Sequence, residues 1–197
     1  MSKAKETKER ILKQAAELFN QQGYAGSSIS DIMRATQLQK GGIYNHFQSK
    51  QELALAAFDF ASGQASKRFL IAIKGKCNAI ERLQAILSVF RSYIDDPPLA
   101  GGCPILNTAI ESDDTNPALR DRVQKAMDAW RNLICRIINK GISKGEICSN
   151  VEADTVATIM ISTIEGAVMM SKLYGNPIHL ERAINHLNEY MENHVRV

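Results

Sequence analysis

Apolar residues recur at spacings of three and four along almost the whole chain, which confines the fold to packed helices. Ile80, Leu83, Leu87, Phe90 and Ile94 form one such stripe, stopped by Pro97 and Pro98. Val123, Met127, Trp130, Ile134 and Ile137 form another, with Gly141 or Gly145 to close it. Ile11, Ala15, Leu18 and Phe19 mark a first helix that ends at Gly23. No stretch alternates polar and apolar residues between hairpin turns, so no strands are expected. The pattern predicts an all-α chain of about nine helices without internal repeats.

The shortest elements lie near the N-terminus. Ser28 or Ser30 caps a second helix running through Ala35, and Thr36-Gln37-Leu38-Gln39 makes a tight connection. A third helix follows from Lys40 to about Phe47. Ser49 and Glu52 then form a capping box at the start of a long connecting helix over about residues 50–73. Farther on, Cys103-Pro104 opens a short helix, proline suiting a first turn. Two last helices are expected over about Glu152–Tyr174 and Ile178–Val195. This divides the chain into a three-helix head, 1–50, and a helical body, 51–197.

Charge separates the same two parts. Residues 1–50 hold eight Lys and Arg against four acids, whereas the other 147 residues carry a net −1. A basic head suits phosphate attraction. No apolar run reaches the roughly 18 residues of a membrane span, and no secretory leader is evident, so a cytoplasmic protein with no membrane partner is expected. The cysteines at 77, 103, 135 and 148 form no CxxC pair, so neither a metal site nor a cofactor is expected. His46, His179, His186 and His194 make no HExxH or comparable constellation. No glycine-rich phosphate loop or serine elbow appears either, and an enzyme is not expected.

Two short helices joined by a tight turn have helix-turn-helix geometry, in which the second helix enters the DNA major groove. Ile29, Ile32, Met33, Leu38 and Ile43 can hold the pair together. That leaves Gln39, Lys40, Gly41, Tyr44, Asn45 and His46 facing outward. Lysines neutralise phosphates, Tyr44 can reach a phosphate oxygen or a thymine methyl, and Gln39 and Asn45 can read base edges. Gly41 allows close approach of the backbone.

The run KGGIYNHFQSKQEL, Lys40 to Leu53, preceded by GYAGSSISDIMRATQ, resembles the tetracycline-repressor family of bacterial regulators. The matches are Gly23-Tyr24, Gly41, Ile43-Tyr44, His46-Phe47 and Ser49-Lys50; Gln51-Glu52 departs from the more common residues there. The resemblance implies DNA contacts from Ser28, Ser30, Lys40, Gly41, Tyr44, His46 and Lys50, with Gln39 and Asn45 as variable base readers. Phe47 is expected to pack with Phe19 inside the head.

The resemblance also implies a homodimer paired through the last two helices. The Glu152–Tyr174 segment is apolar on almost every side, as burial on two faces requires. Ile164, Ala167, Met170, Leu187 and Met191 are the candidate dimer contacts, with Gly166-Ala167 allowing close approach. An effector pocket is implied as well. Phe90, Tyr93, Cys103, Asn107, Met127, Trp130, Glu165 and Met169 are candidates to line it around a largely apolar small molecule.

The expected function is a homodimeric repressor released from a palindromic double-stranded DNA operator by a small-molecule effector. Two alternatives stand beside it. Cys103, following Gly101-Gly102 at a helix start that lowers thiol pKa, could sense electrophiles or oxidants. The chain could also bind DNA as an activator or structural protein without an effector.

Overall fold

The computed structural model describes residues 3–93 and 96–197. Among these residues the chain forms nine α-helices and no strand. They are α1 (Lys3–Gly26), α2 (Ile29–Thr36), α3 (Lys40–Tyr44), α4 (Lys50–Ile73), α5 (Ala79–Arg91), α6 (Pro104–Ser112), α7 (Pro117–Ser143), α8 (Ala153–Tyr174) and α9 (Ile178–Tyr190). Ile94, the last residue of the α5 stripe, lies outside the described residues.

The helices gather into two compact units whose boundaries do not follow chain order. One unit comprises residues 1–65 and 98–126, the other 66–97 and 127–197. The boundary falls within α4 and again within α7, and α6 belongs with the head. The cause is visible in the first unit's core, where Leu99 packs with Ile11, Ala15, Ile32, Ile43, Phe47, Leu53 and Ala57.

In the first unit, Gly23 interrupts α1 with φ +79° and ψ 163°, a left-handed φ that favours glycine. Ser28 caps α2 through the reciprocal box: its Oγ accepts from Asp31 N–H at 3.2 Å, and Asp31 Oδ2 accepts from Ser28 N–H at 2.8 Å. Gln37, left-handed at φ 57°, closes α2 by donating its N–H to Met33 O. Helix α3 is shorter than the expected run to Phe47. Two of its five residues are glycine, which disfavours helix, and the chain turns after Tyr44 so that Phe47 enters the core. Phe19 packs against that core, as expected. The box at α4 forms with a shift: Ser49 Oγ accepts from Glu52 N–H, while Glu52 Oε2 accepts from Gln48 N–H.

In the second unit, α5, α8 and α9 pack around Leu83, Leu87, Phe90, Met160, Ile164, Ile184 and Leu187. Helix α7 runs straight through Gly141 to Ser143. A Cβ at Gly141 would stand 2.6 Å from Ala79 Cβ, so close packing selects glycine there, and Gly145 makes the turn. Glu152 caps α8 by accepting from the Asp154 and Thr155 amides. Beyond α9 a π-helical turn, Met191–Val195, buries both of its end residues. The tail then pairs with the α7–α8 loop, Cys148 N–H donating to Val195 O at 2.9 Å.

Candidate nucleic-acid interface

The helix-turn-helix pair assembles as the apolar spacing requires. Ile32 and Ile43 are fully buried, and Ile29, Met33 and Leu38 pack against the same core. Burying these side chains fixes the face that α3 turns outward. On that face Gln39, Lys40, Gly41, Tyr44 and Asn45 are exposed, and His46 is partly so. Gln39 occupies the N-cap position without spending its amide on a cap bond. A Cβ at Gly41 would meet nothing within 4 Å, leaving open backbone beside Tyr44. Tyr44 is 38% exposed, and Lys40 Nζ stands 5.8 Å from its ring centroid. The result is a short surface carrying one cation, two amides and a phenol, the donors and acceptors that phosphates and base edges take up.

Two expected phosphate contacts are already engaged within the head. Lys50 Nζ donates to Tyr24 O at 2.5 Å and lies 4.1 Å from the Tyr24 ring centroid. Ser28 Oγ is tied to Asp31 in the capping box, and the residue is otherwise exposed. Ser30 is exposed on the first turn of α2. The Asp31 carboxyl is held below the usual carboxylate range by its hydrogen bonds from the Ser28 side chain and backbone, with Arg34 adding to the effect.

The reading of the sequence missed the residues that brace this interface. Glu111 on α6 accepts from the Tyr24 and Ala25 amides, each at 2.8 Å. Asn20 is buried and donates to the carbonyls of Ala100 and Gly102. Only the glycine at position 23 hinted at the first contact, since a Cβ there would stand 2.7 Å from Glu111 Oε1.

The candidate effector residues do not come together as one set. Phe90, Tyr93 and Trp130 do meet: the Phe90 and Trp130 rings stack at 5.2 Å, and the Phe90 and Tyr93 centroids are 4.8 Å apart. Phe69, which the sequence did not single out, completes the cluster at 5.7 Å from Trp130. Trp130 Nε1 is buried with no hydrogen-bond partner. Glu165 is buried on α8 in the same unit, and Met127 is partly buried on α7. Asn107 and Cys103 belong to the head's unit instead. Asn107 spends its amide on Asn20 and Gly101, and Cys103 is the buried N-cap residue of α6. Met169 faces outward at 49% exposure.

Of the dimer candidates, Ile164, Ala167, Leu187 and Met191 are buried within the chain's own core, and only Met170 is open. The inward face of α8 is the one that carries Met160, Ile161 and Val168, and Ile164 and Ala167 share it by helical spacing. The opposite face exposes Ile159, Ser162, Met169, Met170 and Leu173, with Gly166 open between them.

Comparisons with known proteins agree with this architecture. Residues 11–57 match the family model described as bacterial regulatory proteins, tetR family. Residues 79–187 match the tetracyclin repressor-like C-terminal domain. A TetR transcriptional regulator from Chloroflexus aurantiacus is 52% identical, with full coverage of both chains and a TM-score of 0.97. One from Cytophaga hutchinsonii is 32% identical, covers 100% of this chain and 98% of its own, and has a TM-score of 0.91. The transcriptional repressor DhaR of a Mycobacterium strain is 23% identical over 86% of this chain and 84% of its own length.

Proposed function

The chain belongs to the tetracycline-repressor family of DNA-binding transcriptional regulators, and from that premise we propose that it is a cytoplasmic homodimeric repressor released by a small effector. The observation that carries this reading is the outward face of α3, where Gln39, Lys40, Tyr44 and Asn45 are exposed around an open Gly41. Such a face reads only a few base pairs, so useful specificity calls for two heads on half-sites about 34–36 Å apart. The uncharged outer face of α8, with Ile159, Gly166, Met170 and Leu173, supports pairing with a second copy.

The aromatic cluster of Phe69, Phe90, Tyr93 and Trp130 supports an effector with a flat apolar part, and the buried indole N–H suits an acceptor on that effector. Effector binding shifts the dimer between operator-fitting and misfitting states only by its difference in affinity for the two.

Trp130 is the chain's single tryptophan, which makes the effector part directly testable. Small aromatic carbonyl and carboxylate compounds are titrated against intrinsic fluorescence, and those that bind are added to the protein–DNA complex. A compound that changes Trp130 emission and releases the duplex supports the reading. A set of compounds that binds and leaves the duplex bound counts against regulation by effector release.

A further inference from the structure

Helix α6 sits in the head's compact unit, and its contacts concentrate on the segment that leads into the helix-turn-helix. Gly23 breaks the i→i−4 ladder of α1, and the two amides that follow are met by one carboxylate. Glu111 Oε2 accepts from Tyr24 N–H and Oε1 from Ala25 N–H, both at 2.8 Å. The Tyr24 carbonyl is held in turn by Lys50 Nζ, at the start of α4. Three residues after Ala25 stands Ser28, the cap of α2. Glu111 therefore holds the stretch of chain that leads into α2, the first helix of the pair.

A second set of bonds fastens α6 to the same part of α1. Asn107 Nδ2 donates to Asn20 O at 3.0 Å and to Asn20 Oδ1 at 2.9 Å. Asn20 Nδ2 donates onward to Ala100 O at 2.8 Å and Gly102 O at 3.1 Å. Asn20 is 7% exposed, so these bonds are poorly replaced by water. Asn107 and Glu111 are four residues apart, on one face of α6. Asn107 anchors α6 to the helical part of α1, and Glu111 grips the turn beyond the break.

We propose that Glu111 is a positioning residue for operator binding: it sets the α1–α2 turn and couples the DNA-reading helices to α6. Charge-assisted bonds to two consecutive amides resist displacement of the turn more firmly than neutral bonds would. Coupling of this kind is reciprocal, so DNA held by the head must in turn steady α6 through Glu111. The proposal rests on DNA binding by the head and goes beyond it in naming what holds the head in its reading posture.

The test compares the full-length wild type with Glu111→Ala and Glu111→Gln, using a duplex that the wild type itself selects from genomic fragments. Hydrogen exchange in residues 104–112 is followed without DNA and with saturating DNA. In the wild type, DNA slows exchange across α6; in Glu111→Ala, DNA bound at saturation leaves α6 exchange unchanged. Loss of two charge-assisted bonds weakens the duplex affinity of Glu111→Ala about tenfold. Glu111→Gln keeps one acceptor oxygen and falls between the two, and it carries the test if the alanine variant does not fold. Glu111→Ala binding within about twofold of wild type, or keeping the full DNA-induced protection of α6, overturns the proposal, as does a Glu111→Gln indistinguishable from wild type in both readouts where the alanine variant does not fold, and as does a wild type whose α6 ignores DNA. A wild type that selects no duplex would overturn DNA binding itself.

Discussion

Lys50 Nζ donates to the Tyr24 carbonyl at 2.5 Å and stands 4.1 Å from the Tyr24 ring centroid, so this cation serves the head's own fold. Lys40, exposed at the start of α3, stands 5.8 Å from the Tyr44 ring centroid. The two lysines are therefore expected to behave differently. Lys40→Ala lowers the slope of log affinity against log salt by about 1, because one phosphate contact is lost. Lys50→Ala leaves that slope near the wild-type value and lowers unfolding stability by about 1–3 kcal/mol. Salt titrations of binding and chemical denaturation separate the two effects.

Gly23→Ala should damage the head without touching its DNA-facing side. The backbone there is left-handed, and the new Cβ would stand 2.7 Å from Glu111 Oε1. At φ +79° and ψ 163° the backbone is in a region almost exclusive to glycine, and that strain alone costs about 1–3 kcal/mol. Displacement of Glu111 adds the loss of its bonds to Tyr24 and Ala25. A thermal scan should show a lower midpoint, and an unchanged midpoint would mean that the turn relaxes freely.

Asp31 gives the head a defined acid response. Its carboxyl is held below its usual range, first by the bond from the Ser28 side chain and then by that from the Ser28 backbone. A depressed folded-state value means that the stabilisation is present above the unfolded value of about 4 and is lost as pH falls through the folded value. Asp31→Asn removes this contribution. Its melting temperature should lie below that of the wild type at pH 6–7, and the gap should narrow below about pH 4. A gap independent of pH would show that the carboxylate charge plays no part.

The open face of α8 predicts where a dimer is vulnerable. Met170→Glu places a carboxylate among Ile159, Gly166 and Leu173, and a two-fold pair would bury it twice. Burying an unpaired charge should weaken association by about 3 kcal/mol or more. Light scattering at micromolar concentration should then report a monomer with native helix content. Ala substitution at Ile164, which lies in the chain's own core, should instead destabilise folding by about 2–5 kcal/mol.

Local chemistry made the head readable. Ser28 with Asp31 and Ser49 with Glu52 satisfy helix-end amides within four residues, so spacing alone located the start of α4 and narrowed that of α2 to Ser28 or Ser30. The shift of the Glu52 bond to Gln48 and the early end of α3 depend on one or two dihedral angles, which no spacing records. The grip of Glu111 on Tyr24 crosses a gap of 87 residues, and Leu99 enters the head core from beyond the whole of α4 and α5, so neither leaves a local pattern. Helix α8 is hard to read for a different reason. A helix that is apolar all round carries no phase in its sequence, so Ile164 and Met170 look alike until the core picks its side. Phe90 and Trp130 stand on apolar stripes that helical spacing marks as core, whereas which ring touches which waited for packing.

The central claim is that α3 reads a DNA sequence through Tyr44 and its neighbours. Its most direct test is selection of genomic fragments by the wild type and by Tyr44→Ala at two salt concentrations. The account predicts one enriched palindrome for the wild type, retained at the higher salt, and binding weakened by about 1–3 kcal/mol in a folded Tyr44→Ala. Retention that is indifferent to sequence and vanishes with salt, or an unweakened Tyr44→Ala, would contradict it.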